Sequence, residues 1–215
     1  GVCRKCYQIQ RFKKKFSACE VCQNIKNGDL CEFCESRNVF FDKLFFIREK
    51  NDFEREILNK IKFGNKIILS NIFRIGFPKV MNLVLKENIN FVTVVPSHKK
   101  TIRKRPFHPT TPVYKKLLNR LKFSSRNISI LKKDSTELQS GKTFTNRFLH
   151  ARKSFQIQKK FTKKLFGNAV LLDDIFTTGA TINECAKILK ENGIQKVFVI
   201  VLAKKTSDEF RVDSK

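Results

Sequence analysis

The stretch Val170-Leu171-Leu172-Asp173-Asp174-Ile175-Phe176-Thr177-Thr178-Gly179-Ala180-Thr181 decides the fold. Residues 169–175 are an apolar run of strand length that ends in two adjacent carboxylates. Residues 176–180 read as a loop of small hydroxyl residues around one glycine. Over 181–191, Ile182, Cys185 and Leu189 recur at helical spacing, and Gly193 suits the position just past a helix end. Residues 196–202 then form a second strand, and Val197 to Leu202 are apolar without interruption. A strand–helix–strand unit with short loops calls for parallel strands joined by a crossover. An unbroken apolar strand calls for cover on both faces. The fold class is therefore α/β, a parallel sheet flanked by helices.

The chemistry of the same stretch is specific. An ionised carboxylate accepts hydrogen bonds, so Asp173 and Asp174 suit the two hydroxyls of a ribose diol. The first turn of the following helix offers unpaired backbone N–H groups and the positive end of the helix dipole. A phosphate fits there, between those amides and the hydroxyls of Thr177, Thr178 and Thr181. Gly179 is expected to let the backbone approach the anion. Such sites lie beyond the carboxyl ends of parallel strands. Together the acids and the loop suit a 5-phosphoribosyl group. The plainer alternative is that the acids turn the chain and that Thr178 or Thr181 caps the helix.

Upstream, the apolar residues of 53–63 repeat at helical spacing up to Gly64. Further helices are expected over 66–74, 79–87 and 112–122, with strands over 91–95 and 127–131. Residues 97–109 form a basic loop that carries Lys99, Lys100, Arg103 and Arg105. Residues 132–155 are polar and suit a hood able to close over a site. Ser140-Gly141-Lys142-Thr143 echoes the end of a nucleotide-binding P-loop, but Thr136 stands where that loop needs its first glycine. His98, His108 and His150 have no visible acid or nucleophile partner and read as loop residues.

Six of the seven cysteines form three Cys-x-x-Cys pairs within the first 34 residues: Cys3/Cys6, Cys19/Cys22 and Cys31/Cys34. Two such pairs supply four thiolates, the set that closes a structural zinc site. Cys19, Cys22, Cys31 and Cys34 have compact, ribbon-like spacing and are the favoured ligands; Cys3, Cys6, Cys19 and Cys22 are the other possible set. Cys185 falls on the apolar face of the 181–191 helix, where packing is its expected role. Residues 1–40 lack the periodic apolar pattern of a core and need such a staple. The expected domains are a zinc ribbon over 1–40 and the α/β domain over 41–215.

The 215 residues carry 45 Lys+Arg against 19 Asp+Glu, a net charge of +26. That excess suits polyanions such as nucleic acid or phosphorylated small molecules. The abundance of Lys, Asn, Ile and Phe also fits an AT-rich genome, so charge alone does not separate these partners. No stretch reaches the ~18 uncharged apolar residues of a membrane span. No charged-then-apolar leader opens the sequence, which argues for a cytoplasmic location. The sequence begins on Gly1 rather than Met, which leaves room for preceding residues.

Residues 170–181 resemble the ribose-phosphate motif of the type I phosphoribosyltransferases. The resemblance implies that Asp173 and Asp174 hold the ribose of phosphoribosyl pyrophosphate. It implies that Thr177, Thr178, Gly179, Ala180 and Thr181 hold the 5′-phosphate, with Mg²⁺ accompanying the diphosphate. With a cysteine knot in front, the chain resembles the ComF family of competence proteins over nearly its whole length. Lys62-Phe63-Gly64 is similar to that family's Lys-Phe-x-Gly-Asp corner. Val95-Pro96-Ser97-His98 is similar to its Val-Pro-x-Pro loop, which implies ligand contacts from Ser97, His98 and Lys99. Arg105 and Phe107 match its Arg-Gly-Phe-Asn-Gln segment, whereas Pro106, His108 and Pro109 depart from it. Gln139, Arg147 and Phe155 fall at further family spacings, whereas Lys142 and His150 depart.

Arg105 and Arg147 are the implied cations for a departing pyrophosphate. The resemblance implies a phosphoribosyl pyrophosphate binder serving DNA uptake, with structural zinc. Single-stranded DNA and the uptake machinery are the implied partners. The alternatives are an active transferase moving ribose 5-phosphate to an acceptor, and a DNA-binding module regulated by its phosphosugar site. The departures at 105–109 and 147–150 leave the transfer step open.

Overall fold

The computed structural model describes residues 18–24, 26, 31–35, 38–64, 66–97, 114–115, 119, 130–133, 154–161 and 165–205. A one-turn helix α1 (Glu32–Glu35) leads into β1 (Lys43–Glu49), α2 (Asp52–Phe63), a 3-10 segment (Ile67–Gly76), α3 (Phe77–Lys86) and β2 (Ile89–Val94). After these come β3 (Leu131–Lys133), β4 (Phe155–Ile157), β5 (Gly167–Phe176), α4 (Ala180–Glu191) and β6 (Ile194–Lys204).

The main sheet has the order β1-β6-β5-β2, and every pairing in it is parallel. The expected strand–helix–strand unit is β5–α4–β6. Alternate residues of β6 serve opposite layers, as a strand covered on both faces requires. Val197, Val199 and Val201 join a core with α4, the β3–β4 pair, Cys19, Cys22, Cys31 and Phe33. Phe198, Ile200 and Leu202 join a second core with α2, α3, Phe73 and Tyr114.

Local chemistry explains the boundaries. The Asn51 side chain accepts the Glu54 N–H at 3.1 Å and caps α2, and a buried Arg48–Glu54 ion pair ties that helix to β1. The stretch expected to be helical over 66–74 is instead a 3-10 segment ending at Gly76. It gives way to α3, which begins earlier than expected and takes Pro78 into its first turn. Proline is tolerated there because it lacks only an N–H that has no intrahelical partner.

Of the strand expected over 127–131, Leu131 opens β3, which runs on to Lys133, and residues 127–129 lie outside the described residues. Leu131 is buried and pairs with Ile157, while the Lys133 ammonium lies 5.3 Å from the Phe155 ring centre. Cross-strand burial fixes the register. The antiparallel β3–β4 pair holds together the two ends of the proposed hood; residues 134–153 between them lie outside the described residues. No helix among the described residues is long and apolar enough to cross a membrane.

Candidate functional site

β2 ends early beside β5. Val94 pairs with Leu172, and the Val95 N–H still donates to the Leu172 carbonyl at 2.8 Å. Pro96 and the half-buried Ser97 follow. On its other side β5 continues along β6, with Asp173 opposite Val201 and Phe176 opposite Lys204. Asp173 and Asp174 therefore sit past the last β2 partner, at the carboxyl end of the sheet. Their own side chains serve the backbone there: Asp173 Oδ1 accepts the Asp174 N–H at 2.8 Å, and Asp174 Oδ1 accepts the Ile175 N–H at 2.7 Å.

Cations and a phenol surround the acids. Lys62, in the last turn of α2, forms an ion pair with Asp174. The Tyr114 hydroxyl, fully buried, lies 3.0 Å from the carbonyl oxygens of both Asp173 and Ile200, which share its one proton. Burial and then the negative charge of Asp174 push the Asp173 carboxyl well above its ordinary range, against the opposing pull of Lys62. Burial, with the charges of Asp173 and Asp174, pushes the Tyr114 phenol up, so it stays a neutral donor. Burial lowers the Lys133 ammonium, while Cys185 and Asp173 pull it the other way.

Sequence reasoning named Lys62 only as part of a family-like corner; its place in the last turn of α2 is the signal that could have put it on the acids. Lys133 and Tyr114 were missed. Each is brought near Asp173 from a distant part of the chain, and no local pattern marks either one.

Thr177, Thr178 and Gly179 lead from β5 into α4. Thr178 is buried, and its hydroxyl accepts the Ala180 N–H at 3.4 Å. Gly179 is the N-cap residue, with φ +72° and no side chain to cap the helix. The left-handed backbone explains the glycine, and so does packing. A Cβ at this position would lie 2.8 Å from ring atoms of both Phe176 and Phe33. Its missing side chain makes room for two aromatic rings, a packing reason for the glycine beside the expected approach of its backbone to an anion. His98, Lys99, Arg105 and Arg147 lie outside the described residues.

The second cluster is the expected thiol set. The sulfurs of Cys19, Cys22, Cys31 and Cys34 all lie within 4.8 Å of one another. Cys19 and Cys34 are 3.8 Å apart and Cys22 and Cys31 are 3.2 Å apart, and none is in a disulfide. A tetrahedral zinc with bonds of ~2.3 Å needs sulfurs ~3.8 Å apart, so the set can hold a metal such as zinc. Cys3 and Cys6 lie outside the described residues.

Burial pushes the Cys22 thiol up to about 12, with Cys31 and Cys19 adding to the rise, and it pushes Cys34 up further. For Cys19 burial is outweighed by the N–H groups of Cys22 and Val21 and by neighbouring thiols, which draw it down. The buried Lys204 ammonium is lowered by desolvation but sustained by the charge of Cys22. It supplies a positive group beside four potential thiolates. Cys185 is buried in the core, and burial first, then Asp173, raises its thiol.

Residues 111–215 match the phosphoribosyl transferase domain family. Over 210 residues the chain is 21% identical to competence protein F of Haemophilus influenzae, covering 95% of this chain and 90% of that protein. Over 197 residues it is 25% identical to competence protein ComFC of Bacillus subtilis, covering 87% and 78% respectively. Among solved structures, it is similar to phosphoribosylpyrophosphate synthetase from Mycobacterium smegmatis at 12% identity and TM-score 0.38, over 75% of this chain and 54% of that one. Adenine phosphoribosyltransferase from Thermoanaerobacter pseudethanolicus aligns at 16% identity and TM-score 0.34, over 64% and 85% respectively.

Proposed function

We propose that this chain, a competence-related, phosphoribosyltransferase-like protein of the ComF family, binds phosphoribosyl pyrophosphate at the tip of β5 and serves DNA uptake. The observation that carries the reading is the acid pair. Asp173 and Asp174 stand past the end of β2, directly before the loop that opens α4, inside the matched domain. Their carboxylates accept the ribose hydroxyls, and the amides and hydroxyls of residues 177–181 receive the 5′-phosphate.

Lys62 partly offsets the two negative charges and opposes the rise that burial and Asp174 impose on Asp173. Ser97 faces the ligand from the end of β2, and His98, Lys99, Arg105 and Arg147 supply cations and donors to the diphosphate. Mg²⁺, bound with the ligand, offsets the remaining diphosphate charge. Zinc in the four-cysteine set completes a ribbon over 1–40 in front of the domain at 41–215. The net charge of +26 and the relatives' names support a role beside DNA, whose phosphates such a surface attracts.

Calorimetric titration with phosphoribosyl pyrophosphate and Mg²⁺ tests the site. Asp173→Asn combined with Asp174→Asn is expected to weaken binding at least 100-fold with the fold retained by circular dichroism. Unchanged affinity in that variant would refute the reading. Pyrophosphate release with a panel of nucleobases would show an active transferase.

A further inference from the structure

The thiol cluster and the phosphate loop touch through one side chain. Phe33 lies between the ligands Cys31 and Cys34 on the one-turn helix α1. Its ring packs edge-on against Phe176 with centroids 5.7 Å apart, and Phe176 is the last residue of β5. A ring atom of Phe33 also fills the space beside Gly179, 2.8 Å from where a Cβ would stand. Phe33 is buried, in the same core as α4.

A second contact runs alongside. The Asn183 side chain, in the first turn of α4, donates to the Asn38 carbonyl at 2.9 Å and accepts the Phe40 N–H at 2.8 Å. The chain leaving the cysteine knuckle is thereby clipped to the helix whose N-terminus opens the phosphate loop.

One turn of helix has no stability of its own, because nucleation costs more than a single turn returns. The Cys31 carbonyl accepts the N–H groups of Cys34 and Glu35, but these two bonds alone do not set the position of the ring. Bonds from the four sulfurs to a metal would.

We infer that Phe33 is a positioning residue through which metal held by Cys19, Cys22, Cys31 and Cys34 fixes the backbone of residues 177–182. The thiol-held knuckle is the floor of the phosphate loop. Metal occupancy and binding of a phosphorylated sugar are then coupled, and by linkage each ligand tightens the other to the same degree. The coupling to ligand rests on the function proposed above; the coupling to the loop backbone does not.

The test is amide hydrogen exchange at Thr177–Ile182 in the zinc-loaded full chain, compared between the unaltered protein and Phe33→Ala. Zinc content is measured on the same samples with a colorimetric chelator after thiol modification. The expected result is exchange at least 10-fold faster in Phe33→Ala with zinc retained, and about 10-fold weaker binding of phosphoribosyl pyrophosphate. Phe33→Leu, which keeps apolar volume at the contact, is expected to restore most of the protection, and it is the variant to read if Phe33→Ala fails to fold or loses zinc. Unchanged exchange in a zinc-retaining Phe33 variant would overturn the inference. If faster exchange is found but the unaltered protein does not bind phosphoribosyl pyrophosphate, the ligand assignment fails and the coupling stands.

Discussion

Two groups of potential anions are gathered in this molecule, and they are treated in opposite ways. Four thiols on 19–34 face one another, and three of them are buried. Two carboxyls at the tip of β5 are only partly buried past the end of β2, with Lys62 against one and backbone N–H groups taken by both. Four mutually facing ligands would leave a bound metal no open position, the arrangement of a structural site. Two acids beside a helix N-terminus leave the space between them for something else. On the function proposed above, closure separates a part that holds the fold from a part that receives a ligand.

The strongest way to break the closed set is to remove one ligand. Cys22 has no exposed surface, and its thiol resists ionisation unless a metal takes the proton's place. Cys22→Ser is expected to abolish stoichiometric zinc binding and lower the thermal midpoint by roughly 10 °C or more, since metal affinity in such knots is folding free energy. Stripping zinc from the unaltered protein with a strong chelator should lower the midpoint to a similar degree. A midpoint that stays in place in both scans would show that the knot does not hold the core it shares with α4.

How much of this contrast was visible in the sequence depends on chain separation. Cys19, Cys22, Cys31 and Cys34 were legible because their ligand spacing is local. The acid pair, the loop and the β5–α4–β6 unit were legible for the same reason, since one continuous stretch carries the strand pattern, the carboxylates and the helix start. The contacts that give these residues their properties were not. Tyr114 reaches the Asp173 carbonyl from 59 positions away, and Asn183 reaches Phe40 across 143.

The packing at Gly179 is not legible in sequence, because a glycine in a loop announces freedom without saying what lies beside it, here Phe33 and Phe176. The extension of β3 past residue 131 to Lys133 is not legible locally, because its partners Phe155 and Ile157 lie more than twenty residues further along. The cationic segments 98–109 and 134–153, where the family resemblance departs most, lie outside the described residues.

At the open pair the expected effect on stability has the opposite sign. A carboxyl whose folded-state proton affinity is raised contributes stability below its unfolded pKa, and that contribution is lost as pH rises through the folded pKa. Asp173 is of this kind, raised by burial and by Asp174. On the proposed function, the charge it takes on as pH rises is a cost borne for binding. Asp173→Asn removes that cost and is expected to stabilise the ligand-free protein by roughly 0.5–2 kcal/mol. The gain should shrink as pH falls toward the ordinary carboxylate range, where the native acid is itself neutral. Thermal scans from pH 4 to 8 check this, and a variant less stable than the parent at pH 8 would mean that Asp173 holds the fold rather than a ligand.

The smallest change sharpens the contrast at its most delicate point. Lys62 and Asp174 are both largely shielded from water, and the Lys62 charge pulls the Asp173 proton affinity down. Lys62→Met keeps the apolar stem in the last turn of α2 and deletes the charge. Without it the acid pair binds its proton more tightly, so ionisation is completed only at higher pH. Ribose hydroxyls need acceptors, and a protonated pair has lost part of its accepting capacity. The affinity for phosphoribosyl pyrophosphate is therefore expected to drop less than about 10-fold at pH 8 and by progressively more toward pH 6, its acid limb displaced to higher pH than in the unaltered protein. A uniform loss across that range would assign Lys62 to direct contact with the ligand's phosphates, because such a contact has no reason to follow the titration of the acids.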